Sequence, residues 1–138
     1  MKIIIASSNH PGSLVIKLGT MSHWSHVGIL IDDEVYDTTL GTGVSKQSLK
    51  SFQNRYPVTE ILEIQVPDED SAIKFLMQQM GKPYDWTALF GMVLQRNWQK
   101  DDSWFCSELV EAVLKAGGKQ RFRDSVSRIT PQQTWAVL

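Results

Sequence analysis

Cysteine is almost absent from this chain of 138 residues, since Cys106 is the only one. A single cysteine excludes an intrachain disulfide and a cysteine-rich zinc site. The chain also lacks a long apolar run: the N-terminal run is only Ile3 to Ala6, which is too short for a secretory signal, and a membrane-spanning helix needs about 20 apolar residues. We therefore expect a cytoplasmic protein with no integral membrane segment.

Charge of one sign is not in excess either. Lysine and arginine number 14 against 15 aspartate and glutamate residues, which gives a net charge of −1. No block of like charge is long enough to attract nucleic acid or a membrane surface, so a partner must be recognised by a specific site. The length and the 42% hydrophobic content fit one folded domain over residues 1–138 and exclude disorder, a coiled coil and a collagen-like fibre. The sequence leaves the oligomeric state open.

Runs of aliphatic and β-branched residues in the first half of the chain predict strands. The clearest pair forms a hairpin, in which the polar turn Asp32-Asp33-Glu34 separates two apolar runs. Residues 41–57 are predicted to be a surface connection with a short helix near Lys46 to Phe52. The predicted strands are Ile3 to Ala6, Leu14 to Leu18, Val27 to Ile31, Val35 to Thr38 and Ile61 to Val66.

The second half of the chain has apolar residues at helical spacing and predicts helices. The first is capped by Asp70 or Ser71 and ends at Gly81, a second follows from Asp85, and a last short helix follows Thr130-Pro131. The helix between these is the most informative, because Cys106 lies in its first turn. Its N-cap candidates are Asp101, Asp102 and Ser103, its apolar face is Leu109, Val110, Val113 and Leu114, and Gly117-Gly118 ends it.

A cysteine in the first turn of a helix has the setting of a nucleophile. Free backbone N–H groups and the positive end of the helix dipole favour a thiolate, and a neighbouring imidazole can accept the proton. The candidates for that imidazole are His10, His23 and His26. His26 is favoured because it begins the best-defined strand and shares a strand face with Gly28, whose missing side chain leaves room for another element, such as the start of the cysteine helix, to approach. Asp37 in the partner strand lies close enough across the hairpin to hold the second imidazole nitrogen.

Each of these residues also has a purely structural interpretation. An isolated cysteine on an apolar helix face is typical of an inert core thiol, and His26 and Asp37 can be ordinary hydrogen-bonded strand residues. His23-x-x-His26 resembles a metal-binding pair, but a spacing of three along a strand places the two rings on opposite faces. We therefore expect no metal and no other cofactor.

Three segments of the chain occur in an order that matches a known family. They are Ser25-His26-Val27-Gly28-Ile29, Gly81-Lys82-Pro83-Tyr84-Asp85-Trp86 and Phe105-Cys106-Ser107-Glu108-Leu109-Val110. With these motifs the chain resembles the NlpC-type papain-like cysteine hydrolases, in the circularly permuted branch that includes YiiX-like proteins and relatives of lecithin–retinol acyltransferase. In the unpermuted family the cysteine helix precedes the histidine strand, whereas here the histidine strand comes first. The likeness extends from about Gly12 to Leu138.

The resemblance implies both a fold and a set of site residues. The fold is α+β and permuted papain-like, with a small antiparallel sheet packed against a helix that carries the cysteine at its N-terminus. Cys106 is implied as the nucleophile, His26 as the base and Asp37 as the third, orienting member of a catalytic triad. Tyr84 matches a tyrosine that flanks the active site, and the resemblance implies that it helps to hold the oxyanion together with the backbone N–H of Cys106. The structural alternative for Tyr84 is a buried aromatic residue with a hydrogen-bonded hydroxyl.

Two departures from the family pattern concern the substrate. Wall-cutting relatives commonly have Asp before the cysteine and Gly two residues after it, where this chain has Phe105 and Glu108. Trp104 and Phe105 are expected to make the edge of the site apolar instead, unless these aromatic residues belong to the core. The expected pocket walls are Tyr84, Trp86, Trp104 and the loop around His23 and Trp24. We expect a cysteine hydrolase or acyltransferase that forms an acyl-enzyme at Cys106 from a small acyl or peptide-like substrate. The alternatives are a catalytically silent papain-like binding module in a larger assembly and a metal-dependent hydrolase.

Overall fold

An antiparallel sheet forms the centre of the part of the chain that the structure describes. The structure is a computed structural model, and it describes residues 1–8, 23–85, 103–122 and 129–137. The strands are β1 (Lys2–Ser7), β2 (His26–Ile31), β3 (Glu34–Thr39), β4 (Gly43–Ser48) and β5 (Val58–Glu63), in the order β4-β3-β2-β1-β5 across the sheet. The helices in these ranges are α1 (Leu49–Arg55), α2 (Glu69–Gln79), α3 (Cys106–Ala116) and α4 (Pro131–Ala136). Within the same ranges, no helix has both the length and the apolar character that a bilayer span requires.

The hairpin between β2 and β3 closes through a two-residue turn. Asp32 and Asp33 have φ values of 45° and 62°, in the left-handed region that tight hairpin turns need and that aspartate tolerates. Glu34 belongs to β3 and pairs with Ile31, so the predicted turn Asp32-Asp33-Glu34 was wrong in including Glu34. The two-residue turn forms because its twist matches the right-handed twist of the strands on either side.

The two faces of the sheet carry separate apolar cores. On one face, which we call the α3 face, Ile3, Ile5, Val27, Ile29 and Tyr36 share a core with Leu109, Val110 and Val113 of α3. On the other, which we call the α1 face, Ile4, Ala6, Leu30 and Val35 share a core with Phe52 of α1 and with Tyr56. Strand alternation places His26, Gly28 and Asp37 on the α1 face.

The two edge strands differ from the sequence prediction. The mostly polar β4 pairs with β3 from Thr39 and Gly43 to Glu34 and Ser48, where only a connection with a short helix was expected. Helix α1 therefore starts at Leu49, after the β4 residues that the predicted helix at Lys46 to Phe52 had included. Strand β5 covers Val58–Glu63 and not Ile61 to Val66, because its position is set by pairing with β1 along its whole length. The predicted strands at Ile3 to Ala6, Val27 to Ile31 and Val35 to Thr38 are confirmed.

Helices α2 and α3 begin at caps other than the predicted ones. Helix α2 is capped by Asp68, whose carboxylate accepts the Ser71 N–H at 3.0 Å, so Asp70 and Ser71 were wrong as caps. Helix α3 has Phe105 as its N-cap, so the candidates at 101–103 were also wrong. The Glu108 carboxylate reaches back and accepts the Phe105 N–H at 3.4 Å. The backbone N–H of the N-cap residue is thereby satisfied, as in a capping box.

Other parts of the helix prediction are confirmed or fall outside the structure. Gly117 ends α3, and Gly118 follows it with a φ of 85°. Thr130 caps α4 and Pro131 is its first residue, as expected. The strand predicted at Leu14 to Leu18 and the helix predicted to follow Asp85 lie outside the described residues.

A buried ion pair ties α4 to α3. Arg121 and Glu111 form this pair, and both side chains are almost fully buried. The Thr134 hydroxyl donates to Glu111 Oε1 at 3.1 Å, and Arg121 Nη1 donates to the Thr134 carbonyl at 3.2 Å. A buried charge that loses its partner is strongly destabilising, whereas an exposed pair contributes little. The packing of α4 on α3 therefore depends on Arg121.

We expect Arg121→Met to lower the free energy of unfolding by about 3 kcal/mol, because it leaves the Glu111 carboxylate buried without its partner. Lys46→Met is the matched control: it breaks the exposed pair with Glu34 and should leave the stability nearly unchanged. Urea denaturation followed by circular dichroism measures both values. An Arg121 variant as stable as the Lys46 variant would contradict the assignment.

Candidate active site

His26 and Asp37 form a buried hydrogen-bonded pair on the α1 face. His26 is the first residue of β2, and the β2–β3 register places Asp37 opposite Gly28, next to His26 on the same face. His26 Nε2 lies 2.8 Å from Asp37 Oδ2. A Cβ atom at Gly28 would come within 3.2 Å of the Asp37 Cβ and 2.8 Å of Val35 Cγ1. Gly28 therefore makes room for β3, and the prediction that it makes room for the cysteine helix was wrong.

Asp37 has a second hydrogen-bond donor that the sequence analysis did not identify. Gln47, on β4, donates from Nε2 to Asp37 Oδ2 at 3.2 Å. Asp37 is 1% exposed, and within the described part of the chain its other oxygen, Oδ1, has no hydrogen-bond partner. The carboxylate is thus held through one oxygen, from the histidine on one side and the glutamine on the other.

An aromatic ring covers one face of the His26 imidazole. Tyr56, which follows α1, stacks on it with a centroid separation of 4.9 Å and an interplanar angle of 8°. Phe52 lies next to both rings, with its centroid 5.9 Å from that of His26. Tyr56 was not among the predicted site residues, although its spacing of four from Phe52 at the end of a short helix was a usable signal for two rings on one side. The stack leaves His26 little freedom to rotate.

Cys106 is the first residue of α3 and lies near the His26 imidazole, on whose pKa it acts. Because Nε2 of the imidazole is engaged by Asp37, Nδ1 is the nitrogen that is left to accept a proton from the thiol. The helix of Cys106 packs on the α3 face while His26 belongs to the α1 face. The two side chains meet where β2 begins, so no strand residue has to separate them. The thiol itself is only 1% exposed.

The surroundings of His26 favour its protonated form. Burial by itself would lower the pKa of His26, but the nearby Tyr56 and Cys106 and the hydrogen bond to Asp37 act in the opposite direction. Together they raise the pKa of His26 well above its usual value. An imidazolium at this position is therefore compatible with neutral pH.

Tyr84 is placed next to Cys106 by the edge of the sheet. The Val44 N–H donates to the Lys82 carbonyl and the Gly81 N–H donates to the Val44 carbonyl, both at 2.8 Å. Gly43 permits this contact, since a Cβ there would lie 2.1 Å from the Lys82 carbonyl oxygen. Burial, with Cys106 close by, raises the pKa of Tyr84. The phenol is therefore neutral at physiological pH and remains a hydrogen-bond donor.

The remaining predicted residues have different positions. Trp104 is half-buried; its Nε1 donates to Gln79 Oε1 at 3.2 Å, and its ring meets Phe75 edge-on, so the indole is directed towards α2. Trp86 and His10 lie outside the described residues. His23 is exposed at the start of the segment leading into β2, with its ring against Trp24. In the ranges that the structure describes, no three His, Cys, Asp or Glu side chains are grouped as a metal site would require.

The chain matches a known protein family over nearly its whole length. Residues 3–134 match the model of a family described as a permuted papain-like amidase enzyme, the YaeF/YiiX, C92 family. An antiparallel sheet with a cysteine at the start of the helix packed on it is the α+β architecture of permuted papain-like proteins, which confirms the predicted fold class and the predicted resemblance. The match covers nearly the whole chain, so the protein belongs to this C92 family.

A solved structure supports the same fold. The structure titled metalloprotein yiiX from Escherichia coli O157:H7 superposes with a TM-score of 0.66 and 25% sequence identity. The match covers 84% of this chain and 64% of that one, so this chain spans less than two thirds of the length of its structural relative. A search of curated proteins gave no match.

We expect Tyr56→Leu to release the His26 ring, and Tyr56→Phe to keep it in place, because phenylalanine preserves the stacked ring. In an NMR spectrum the His26 ring protons should lose the ring-current shift in the leucine variant and retain it in the phenylalanine variant. The leucine variant should also be less stable by roughly 1–3 kcal/mol, from lost burial and ring contact. A His26 signal at the wild-type position in Tyr56→Leu would contradict the stack.

The raised pKa of His26 predicts how stability changes with pH. A histidine whose pKa is higher in the folded than in the unfolded chain stabilises the fold fully below the unfolded value of about 6.5. That contribution disappears as the pH rises through the folded value. The difference in unfolding free energy between the wild type and His26→Gln should therefore shrink from pH 6 towards alkaline pH in urea titrations. A difference that grows over this range would contradict the assignment.

Proposed function

We propose that the protein is a cysteine-dependent hydrolase or acyltransferase that cleaves an amide, ester or thioester bond through an acyl-enzyme at Cys106. One observation carries the proposal: a single imidazole, His26, lies near the buried Cys106 thiol and has its Nε2 2.8 Å from a buried carboxylate oxygen, Oδ2 of Asp37. This is the arrangement that activates a thiol for attack. Membership of an amidase family supports it.

In the proposed reaction, His26 relays two protons, one in each half of the cycle. Cys106 gives its proton to Nδ1 of His26, and the thiolate sulfur attacks the substrate carbonyl carbon. The tetrahedral intermediate collapses as the imidazolium donates that proton to the leaving nitrogen, oxygen or sulfur, which leaves an acyl group on Cys106. Water, or another acceptor in a transferase, then gives a proton to His26 and attacks the acyl carbon. The acid or transferred product departs, and the proton returns to the Cys106 sulfur.

Asp37 has the orienting role in this scheme. Its bond to Nε2 keeps Nδ1 turned towards the thiol and stabilises the imidazolium that forms when the thiol is deprotonated. The raised pKa of His26 also favours the imidazolium form. In this scheme Asp37 does not exchange a proton with substrate.

Two groups are suited to hold the oxyanion. The backbone N–H of Cys106 belongs to the first turn of α3, whose amides have no partner within the helix. Tyr84 lies beside the same sulfur and keeps its hydroxyl proton. We assign these two donors to the developing negative charge on the carbonyl oxygen.

The walls of the site favour an acyl group or a small peptide-like amide. Phe105 and Glu108, which stand where wall-cutting relatives commonly have Asp and Gly, are both buried, and Glu108 bonds the Phe105 backbone. Neither presents a carboxylate to the amino terminus of a peptide. Tyr56 and Tyr84 add aromatic surface beside the reacting atoms. The indole of Trp104 contributes less than its sequence position suggests, because it packs towards α2.

A metal-dependent reaction fits this chain less well. The related yiiX is titled a metalloprotein. In the described ranges, however, no three candidate ligands converge, and the Nε2 of His26 is taken up by Asp37. We therefore derive no step through a metal ion.

A catalytically silent binding module is the second candidate, and the burial of the Cys106 thiol favours it. It differs from the hydrolase in one measurable respect, since a binding module does not need the sulfur. Replacing Cys106 therefore separates the two functions.

The test is a panel of p-nitrophenyl acyl esters, acyl-thioesters, N-acyl amides and muropeptides, run on the wild type, Cys106→Ala and Cys106→Ser. We expect turnover of acyl substrates that falls by about a thousandfold or more in both variants, because the nucleophile is removed. Mass spectrometry should detect an acyl adduct on Cys106 of the wild type. Ser45→Ala, on the exposed edge strand, is the matched control and should keep full activity.

Each other outcome of the panel has a defined meaning. Turnover that does not depend on Cys106 would refute the acyl-enzyme. Release from muropeptides alone would refute the acyl preference and return the chain to wall hydrolysis. An unchanged biological activity in a folded Cys106→Ser variant would favour the binding module.

A further inference from the structure

We propose that Gln47 is a positioning residue of this site: its side-chain amide holds the Asp37 carboxylate in the orientation that presents Oδ2 to His26. The inference rests on the proposed function for its catalytic meaning. The contact itself belongs to the folded protein and can be tested without turnover.

The sheet register brings Gln47 to Asp37. In the β3–β4 pairing, Gln47 lies opposite Val35 and Ser45 lies opposite Asp37. Gln47 therefore projects from the α1 face on the diagonal to Asp37, where a long side chain can reach across. Its Nε2 lies 3.2 Å from Asp37 Oδ2. Lys46, the preceding residue, points to the other face and pairs with Glu34.

The Asp37 carboxylate needs this second donor. An ionised carboxylate that is nearly completely buried is stable only when hydrogen bonds replace its water. Within the described residues Asp37 receives two such bonds, from His26 and from Gln47, and both end on Oδ2 while Oδ1 receives none. If the Gln47 bond were absent, the carboxylate could rotate about its Cβ–Cγ bond and the imidazole would lose its fixed partner.

Gln47 provides the bond without adding charge. The ionisable groups that act on His26 are Asp37 from β3, Tyr56 after α1 and Cys106 from α3. A neutral amide leaves this set unchanged, whereas lysine or arginine at position 47 would compete with the imidazolium for the carboxylate. The residue type at this position is therefore matched to a histidine that has to carry the positive charge.

The experiment compares Gln47→Leu, Gln47→Glu and the control Ser45→Ala, whose hydroxyl contacts Thr42 and not Asp37. The readouts are the His26 ring nitrogens followed by NMR against pH, and the rate of Cys106 alkylation by iodoacetamide. In Gln47→Leu we expect His26 to lose its proton at lower pH than in the wild type, and alkylation at pH 7 to slow by about tenfold, because the carboxylate is less well held. In Gln47→Glu we expect His26 to titrate at or above the wild-type pH. The introduced carboxyl group replaces the amide donor when it is protonated, and it adds negative charge when it is ionised.

The inference is overturned if folded Gln47→Leu titrates at the wild-type pH, whatever its activity. If that variant does not fold, Gln47→Glu decides: a His26 titration below that of the wild type overturns the inference. A shift in Gln47→Leu in a protein whose wild type turns over no substrate would refute the proposed function and leave the role of Gln47 intact. Equal shifts in Ser45→Ala would show a general effect of altering β4 and would also overturn it.

Discussion

The two-residue turn at Asp32 and Asp33 is the constraint on which the site depends. In a hairpin, the turn sets which residues lie opposite each other, and a shift of one residue moves every side chain of a strand to the other face. The observed register places His26 and Asp37 on one face, at hydrogen-bonding distance. A register shifted by one residue would direct Asp37 into the core under α3 and leave His26 without its acceptor. The left-handed conformation of two aspartates thus determines the geometry of a pair at the far end of the hairpin.

The second condition is that two cores, one on each face of the sheet, supply the two sides of the site. The thiol is carried by a helix that packs against Val27 and Ile29, while the imidazole belongs to the core with Phe52 and Tyr56. Each core fixes one side chain in place, and packing at native density leaves neither free to move far. The two side chains can meet because His26 is the terminal residue of its strand. A histidine in the middle of β2 would be separated from Cys106 by the sheet.

The sequence predicted the parts of this arrangement that local patterns encode. The apolar face of α3, the hairpin strands and the pairing of His26 with Asp37 follow from periodicity and turn chemistry, and the family resemblance supplied the order of the motifs. The sequence pattern did not predict β4, because a polar strand at a sheet edge is defined by its partner strand and not by its own composition. Gln47 was missed with it. The spacing of Tyr56 from Phe52 could indicate two neighbouring rings, but its contact with His26 joins residues 30 positions apart in the chain, which that local spacing does not encode.

Because these polar residues are buried, each one depends on a hydrogen bond with the next: His26 on Asp37, and Asp37 on Gln47. A buried imidazole that carries a positive charge needs a hydrogen-bond acceptor, because burial has removed the water that would otherwise solvate that charge. Asp37 is that acceptor, and its own charge, nearly completely buried, needs a further donor, which Gln47 provides. Gln47 is half-buried on the edge strand, where water can solvate the rest of its amide, so no further buried charge has to be balanced. The network extends from the thiol only as far as the nearest solvated group, which is why an edge strand, and not a central one, has to lie beside Asp37.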